Sequence, residues 1–183
     1  MALLCLGGSL RRLSANNALA RAAAAAAPGA ATLFPTPLSA LPFFNEDVEA
    51  GGLPPAVAEL RAAVARARGL FIATPEYNGF SPAVLKNAID WLSRPGAEGA
   101  SPLKGKPFAL ASAGGRAGGA RAQKHLAALC VDLGMRHVAG AGPIAVNRFD
   151  GKARFDAATG DLVDADVARD IAALVAALVA EMK

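Results

Sequence analysis

Leu3-Leu4-Cys5-Leu6-Gly7-Gly8-Ser9-Leu10-Arg11-Arg12-Leu13-Ser14-Ala15-Asn16 is the stretch on which the fold turns. Residues 2–6 form a short apolar run that ends in a Gly/Ser loop, which fits a buried strand better than a helix. Ser14 or Ala15 then opens a helix that runs through the alanine-rich stretch and stops before Pro28-Gly29. Outward from here the same strand, loop and helix unit recurs. Residues 31–34, 70–73, 106–113 and 136–145 read as further strands, the last weakened by Gly140 and Gly142. Helices follow from Pro54-Pro55, where proline suits the first turn, and from Ser81-Pro82. Two more span 120–133 and 164–181. Between the second strand and second helix lies a proline-punctuated loop over 35–55, and Gly69 reads as the break that ends the second helix.

Strands that alternate with helices must be joined by right-handed crossovers. The expectation is therefore an α/β fold with a parallel sheet and helices on both faces. Residues 1–183 read as a single domain, a length that buries a real core. Hydrophobic residues make up 54%, charged 19% and aromatic 5%, so the composition is globular and its core is built from small apolar side chains. The net charge of +4 favours anionic small molecules, and with no Lys/Arg block beyond the pair Arg11-Arg12, nucleic acid is not an expected partner. Cys5 and Cys130 stand far apart in apolar stretches and read as buried thiols of a reducing compartment rather than a disulfide. No stretch reads as a membrane span or a signal peptide, so the expected location is cytoplasmic.

In doubly wound sheets ligands bind beyond the carboxyl ends of the strands. Three unusual loops fall there. The first offers hydroxyls at Ser9 and Ser14, a guanidinium at Arg11, an amide at Asn16 and a helix N-terminus, all of which suit a phosphate. It is neither a P-loop nor G-x-G-x-x-G, and the competing reading is a capped helix with a solvated Arg pair. The second, Thr74-Pro75-Glu76-Tyr77-Asn78-Gly79, either presents backbone groups and the Tyr77 ring to a planar heterocycle or is only a polar turn. The third, residues 112–119, has Gly114, Gly115, Gly118 and Gly119 after Ser112 and permits close backbone approach.

Together these segments resemble the NADPH-dependent FMN reductase family, a flavodoxin-like group that includes azoreductases, quinone reductases and chromate reductases. The resemblance rests on Gly8-Ser9-x-Arg11-x-x-Ser14-x-Asn16, Phe43-Phe44-Asn45-Glu46-Asp47 and Leu53-Pro54-Pro55-Ala56-Val57. It continues through Thr74-Pro75-Glu76-Tyr77-Asn78, the helix Leu85-Lys86-Asn87-Ala88-Ile89-Asp90-Trp91-Leu92-Ser93-Arg94-Pro95, Gly105-Lys106-Pro107 and Gly118-Gly119-Ala120-Arg121-Ala122-Gln123. It covers residues 2–146. It implies a flavodoxin-like three-layer sandwich, a five-stranded parallel sheet in the order 2-1-3-4-5.

The resemblance also implies an FMN site. Ser9, Arg11, Ser14 and Asn16 would hold the phosphate. Pro75, Glu76, Tyr77 and Asn78 would line the isoalloxazine through main-chain groups, and Ser112, Gly114 and Gly115 would close its other side. The implied reaction takes hydride from NADPH or NADH to the flavin, then two electrons to a quinone, azo compound, free flavin or metal oxyanion. The implied assembly is a homodimer or homotetramer, with much of the 85–94 helix at a subunit interface. The third loop departs from the family's usual Ser-Pro form, having Gly114-Gly115-Arg116 instead.

The cofactor carries the hard step in such chemistry, so no catalytic side chain is expected. His125 and His137 read as structural, Trp91 as a packing residue, and no Cys/His/carboxylate cluster has metal-ligand spacing. The alternative is a non-enzymatic flavodoxin-type electron carrier. Carriers tend to acidic surfaces and Thr/Ser-rich phosphate loops, whereas this chain is basic and uses Arg11, which favours the enzyme.

Overall fold

In the computed structural model, which describes residues 3–96 and 99–182, the first strand is β1, Leu3–Gly7. Ala2, expected at its start, lies outside the described residues. The helix α1 follows over Ala15–Ala26, with Ser14 as N-cap, then β2 over Ala31–Leu33. Next come α2 (Glu46–Ala50), α3 (Pro55–Arg66) and β3 (Gly69–Ala73). The chain continues through α4 (Ala83–Ser93), β4 (Pro107–Gly114) and α5 (Ala120–Asp132). It closes with β5 (Arg136–His137), β6 (Ile144–Asn147) and α6 (Ala165–Ala180).

The sheet is parallel, in the order β2-β1-β3-β4-β5, as expected, with β6 also pairing with β4. Strand side chains alternate between the faces. Leu4, Leu6, Leu70, Ile72, Phe108 and Leu110 pack with α3, α4 and α5 on one side. Leu3, Cys5, Phe71, Ala73, Ala109 and Ala111 pack with α1 and α6 on the other. The alanines of that second layer let α1 lie close to the strands, which is where the chain's small apolar residues are spent.

Four expectations change. The fifth strand is two pieces, β5 and β6. The chain leaves the ladder at Val138 and returns at Ile144, with Gly140 (φ 58°) and Gly142 (φ 145°) in between. A Cβ on Gly140 would lie 2.9 Å from Leu174 Cδ1, so the detour presses directly on α6. Gly69 does not end a helix but starts β3, where a Cβ would sit 3.2 Å from the Met182 side chain. The 35–55 loop contains a 3-10 turn at Leu38–Ala40 and the short α2. Asn45 caps α2, its Oδ1 accepting from Asp47 N at 2.8 Å, and three acids in the first turn suit the positive helix end.

The fourth change concerns α4. Leu85, Asn87, Ala88, Ile89, Trp91 and Leu92 are buried within this chain rather than left for a subunit interface. Asn87 Nδ2 and Trp91 Nε1, one helical turn apart, both donate to the Pro42 carbonyl, at 3.0 and 2.8 Å. Asn87 Oδ1 accepts from Phe44 N at 2.8 Å, and the Phe44 ring meets Trp91 edge-on at 5.0 Å. The Asn-Ala-Ile-Asp-Trp motif thus holds down the proline loop. Arg61, buried, donates to the carbonyls of Trp91 (2.7 Å), Arg94 (3.0 Å) and Pro95 (2.7 Å), satisfying the orphan C-terminal groups of α4.

Candidate functional site

The chain runs from β1 to β2 on one side and then crosses back to place β3 on the other, so the strand order reverses between β1 and β3. Beyond the carboxyl ends of β1, β3 and β4 the three unusual loops meet. Gly8 N donates to Ala73 O at 2.8 Å, joining the first loop to the second. A Cβ on Gly8 would lie 2.9 Å from Leu85 Cδ2 and 3.2 Å from Ala73 O, so glycine eases this approach. The Asn16 side chain joins the first loop to the third, and Glu76 joins the second to the start of α5.

In the first loop Ser14 is buried, and its Oγ accepts from Asn17 N at 3.2 Å. Ser9 is buried, and its Oγ accepts from Arg11 N at 3.3 Å. Either hydroxyl still has its proton to donate. Arg11 is exposed and, among the described residues, its guanidinium makes no protein hydrogen bond. The first turn of α1 has no acid. Serine hydroxyls, a free guanidinium and a positive helix end form a donor set that fits a phosphate.

Asn16 is a different case. Its Nδ2 donates to Ala113 O (2.9 Å) and its Oδ1 accepts from Ala113 N (2.8 Å), so the amide is held in place by the protein. Asn17, not singled out from the sequence, shapes the loop: its Nδ2 donates to Ser9 O at 2.9 Å. Its Oδ1 is buried without a partner among the described residues and sits 2.3 Å from where a Cβ on Gly7 would be, so Gly7 leaves it room.

The second loop is a small hairpin. Tyr77 and Phe80 exchange both backbone hydrogen bonds, at 2.9 and 3.1 Å, across Asn78 (φ 52°) and Gly79 (φ 88°). Positive φ at both central positions is the requirement of the tight turn that Asn-Gly favours. That dipeptide is the sequence signal for this hairpin. Pro75 is buried, whereas Tyr77, Asn78 and Phe80 are exposed. The Glu76 carboxylate lies below its ordinary pKa: burial raises it, but the Arg121 side chain and the Ala122 and Arg121 amides outweigh that.

In the third loop Ser112 is fully buried; its Oγ donates to Gly118 O (2.6 Å) and accepts from Gln123 Nε2 (2.7 Å). Its hydroxyl is therefore used internally. Gly118 (φ 61°) lies so close to β6 that a Cβ would be 2.3 Å from the Ala145 carbonyl carbon. Gly114 is half-buried, while Gly115 and Arg116 are exposed. Gly115 has open space where a Cβ would be.

The family described as NADPH-dependent FMN reductase matches residues 1–149. The chain belongs to the NADPH-dependent FMN reductase family. It is 46% identical over 122 residues to an NAD(P)H-dependent FMN reductase of Pseudomonas aeruginosa, covering 66% of this chain and 64% of that protein. It is 39% identical over 164 residues to the NADPH:quinone oxidoreductase of Arabidopsis thaliana, covering 87% of this chain and 80% of the relative. Among solved structures it is similar to FerB of Paracoccus denitrificans, a flavoenzyme NAD(P)H:(acceptor) oxidoreductase, with a TM-score of 0.81 and 29% identity over 99% of this chain and 96% of that one. As a member of the FMN reductase family the chain is an oxidoreductase, with FMN and NAD(P)H as its cofactors, rather than a flavodoxin-type carrier. The phosphate-compatible donor set of the first loop is the local feature that agrees with this membership.

Proposed function

We propose that the whole chain serves as one FMN-binding domain whose flavin lies along the carboxyl edge of the sheet. The observation that carries this reading is the convergence of the three loops at the point where the strand order reverses. Ser9, Arg11 and Ser14, with the N-terminus of α1, hold the phosphate. Pro75, Glu76, Tyr77 and Asn78 form one wall for the isoalloxazine. Gly114 and Gly115 leave the opposite wall low enough for a second planar molecule. Asn16 and Ser112 support the walls, their side chains held by hydrogen bonds to Ala113, Gly118 and Gln123. Glu76 likewise acts by fixing the loop.

FMN held by these residues would supply the redox chemistry, hydride uptake from NADPH or NADH and two-electron reduction of a small acceptor. The acceptor class is quinones, azo compounds, free flavin or metal oxyanions. This chain's residues bind, orient and shield, and no side chain is assigned as acid or base. The active form is a homodimer or homotetramer, a reading supported by the exposed rings of Phe43, Tyr77, Phe80 and Phe149. The free thiols Cys5 and Cys130 support a reducing, cytoplasmic setting. Among the described residues no helix is long and apolar enough to cross a membrane.

The test is direct. Purified protein is reconstituted with FMN, its visible spectrum recorded, and NADPH or NADH added without oxygen. Bleaching followed by reoxidation with benzoquinone is expected. Failure to take up FMN overturns the proposal.

A further inference from the structure

We propose that α5 positions the flavin ring, with Arg121 and His125 as two positioning residues that hold the second loop against the edge of the sheet. This rests on the reading that the loop lines the isoalloxazine.

Arg121 and His125 are four residues apart and so lie on one face of α5, a turn apart. They grip opposite ends of the loop. At the first end, Glu76 Oε1 accepts from Arg121 Nε (3.0 Å) and pairs with Nη2 (2.8 Å). Its Oε2 accepts from the backbone N–H of Arg121 (3.1 Å) and, more weakly, of Ala122 (3.4 Å). The helix has no N-cap side chain of its own and no acid in its first turn. Glu76 supplies both from a separate loop, where an anion is favoured by the helix dipole. At the other end, His125 Nδ1 lies 3.2 Å from Gly79 O, and the imidazole stacks on the Phe80 ring at 4.3 Å and 22°. Nδ1 is therefore the protonated donor.

The hairpin between these ends needs such support. A two-stranded hairpin is marginal by itself, and its turn fixes its shape but not its tilt relative to the sheet. Its tip residues Tyr77 and Asn78 are exposed, and Phe80, also exposed, meets this chain through its stack on His125, so α5 bears directly on that tilt. The helix, in contrast, is anchored. Between the two gripping residues, Gln123 Nε2 donates to Ser112 Oγ (2.7 Å) and Ile144 O (2.8 Å), which ties α5 to β4 and β6. Rigid sheet, helix and loop form one connected path to the flavin edge.

The test uses FMN-loaded protein, with Arg121→Ala, His125→Ala, His125→Asn and the loop control Gly79→Ala. The readouts are visible circular dichroism of the saturated flavin and dissociation constants for FMN and riboflavin. Each alanine variant at Arg121 or His125 is expected to change the dichroism and weaken FMN and riboflavin alike, about two- to tenfold per lost contact. His125→Asn keeps a donor near the Nδ1 position and recovers part of the signal, which a loss of general stability would not explain. Wild-type dichroism and affinities in both alanine variants overturn the proposal. If Gly79→Ala alone perturbs the flavin, the loop still lines the ring and α5 is not its support. If none of the variants does, both readings fall.

Discussion

Asn16 extends the sheet where β3 ends, by pairing through its side chain with both backbone groups of Ala113. Thr74 N donates to Ala111 O as the last rung between β3 and β4, and the chain then turns away. Ala113, two residues further on, points its N–H and C=O to the same vacated side. The Asn16 amide fills that place.

Asn16→Ala therefore leaves a buried donor and a buried acceptor unmet. A loss of about 2–4 kcal/mol in unfolding free energy is expected, measured by urea denaturation of the apoprotein. Asn16→Asp should be no better, because it loses the donor and sets a carboxylate against the Ala113 carbonyl. A stability near wild type for either variant would refute this role.

Arg11 is the opposite case, exposed and with its guanidinium unpartnered among the described residues. Arg11→Ala should leave the unfolding midpoint unchanged while weakening FMN by roughly 1.5–3 kcal/mol, the worth of a hydrogen bond to a charged group. Riboflavin, which lacks the phosphate, should bind both proteins equally. Fluorescence titration with the two flavins separates these outcomes.

Gly118 and Gly115 belong to the same loop but should respond differently. Gly118→Ala must hold an alanine at φ 61°, which alone costs about 1–3 kcal/mol, and must also push back the Ala145 carbonyl. Gly115→Ala meets open space and should be close to neutral in stability. Thermal unfolding of the two variants side by side checks the contrast.

Glu76 predicts a pH dependence of known sign. Its folded pKa lies below the ordinary value of 4.5, so its stabilising contribution is complete above that value and fades as pH falls through the folded one. Flavin dichroism should be flat from neutral pH down to about 5 and change only below the ordinary carboxylate range. Glu76→Gln should lose that acid step. The same acid profile in both proteins would assign the step to another group.

The two cysteines should be silent in the native protein. Cys5 and Cys130 belong to core clusters on opposite faces of the sheet, and burial pushes each thiol up to about 12. A thiol-specific chromogenic reagent should find neither in the native state and both after denaturation. Rapid labelling of native protein would contradict the burial.

Much of the fold was legible because its signals are local. Apolar runs ending at glycine, a capping residue such as Ser14, and prolines at helix starts each act within a few residues. The Asn78-Gly79 turn is a local signal too, and so is the Asn45 cap with its following acids, although the loop reading of 35–55 passes over it. What else escaped was non-local. The split of the last strand position depends on Gly140 lying against Leu174, an approach between residues distant in sequence. The use of Asn87 and Trp91 to hold Pro42 likewise depends on where the proline loop returns.

The same division runs through the candidate site. The sequence by itself determined the strand order, by family resemblance, and which loops reach the carboxyl edge. It showed too that hydroxyls, guanidinium and helix end are contiguous in the first of them, a donor set that suits an anion. Only the tertiary structure decided which polar atoms remain free. Asn16 and Ser112 have the chemistry of ligand-binding residues but direct it to Ala113, Gly118 and Gln123, while the Arg11 guanidinium has no such partner among the described residues. A side chain's hydrogen-bonding capacity is set by its type, but its use is set by what folding brings within about 3 Å of it.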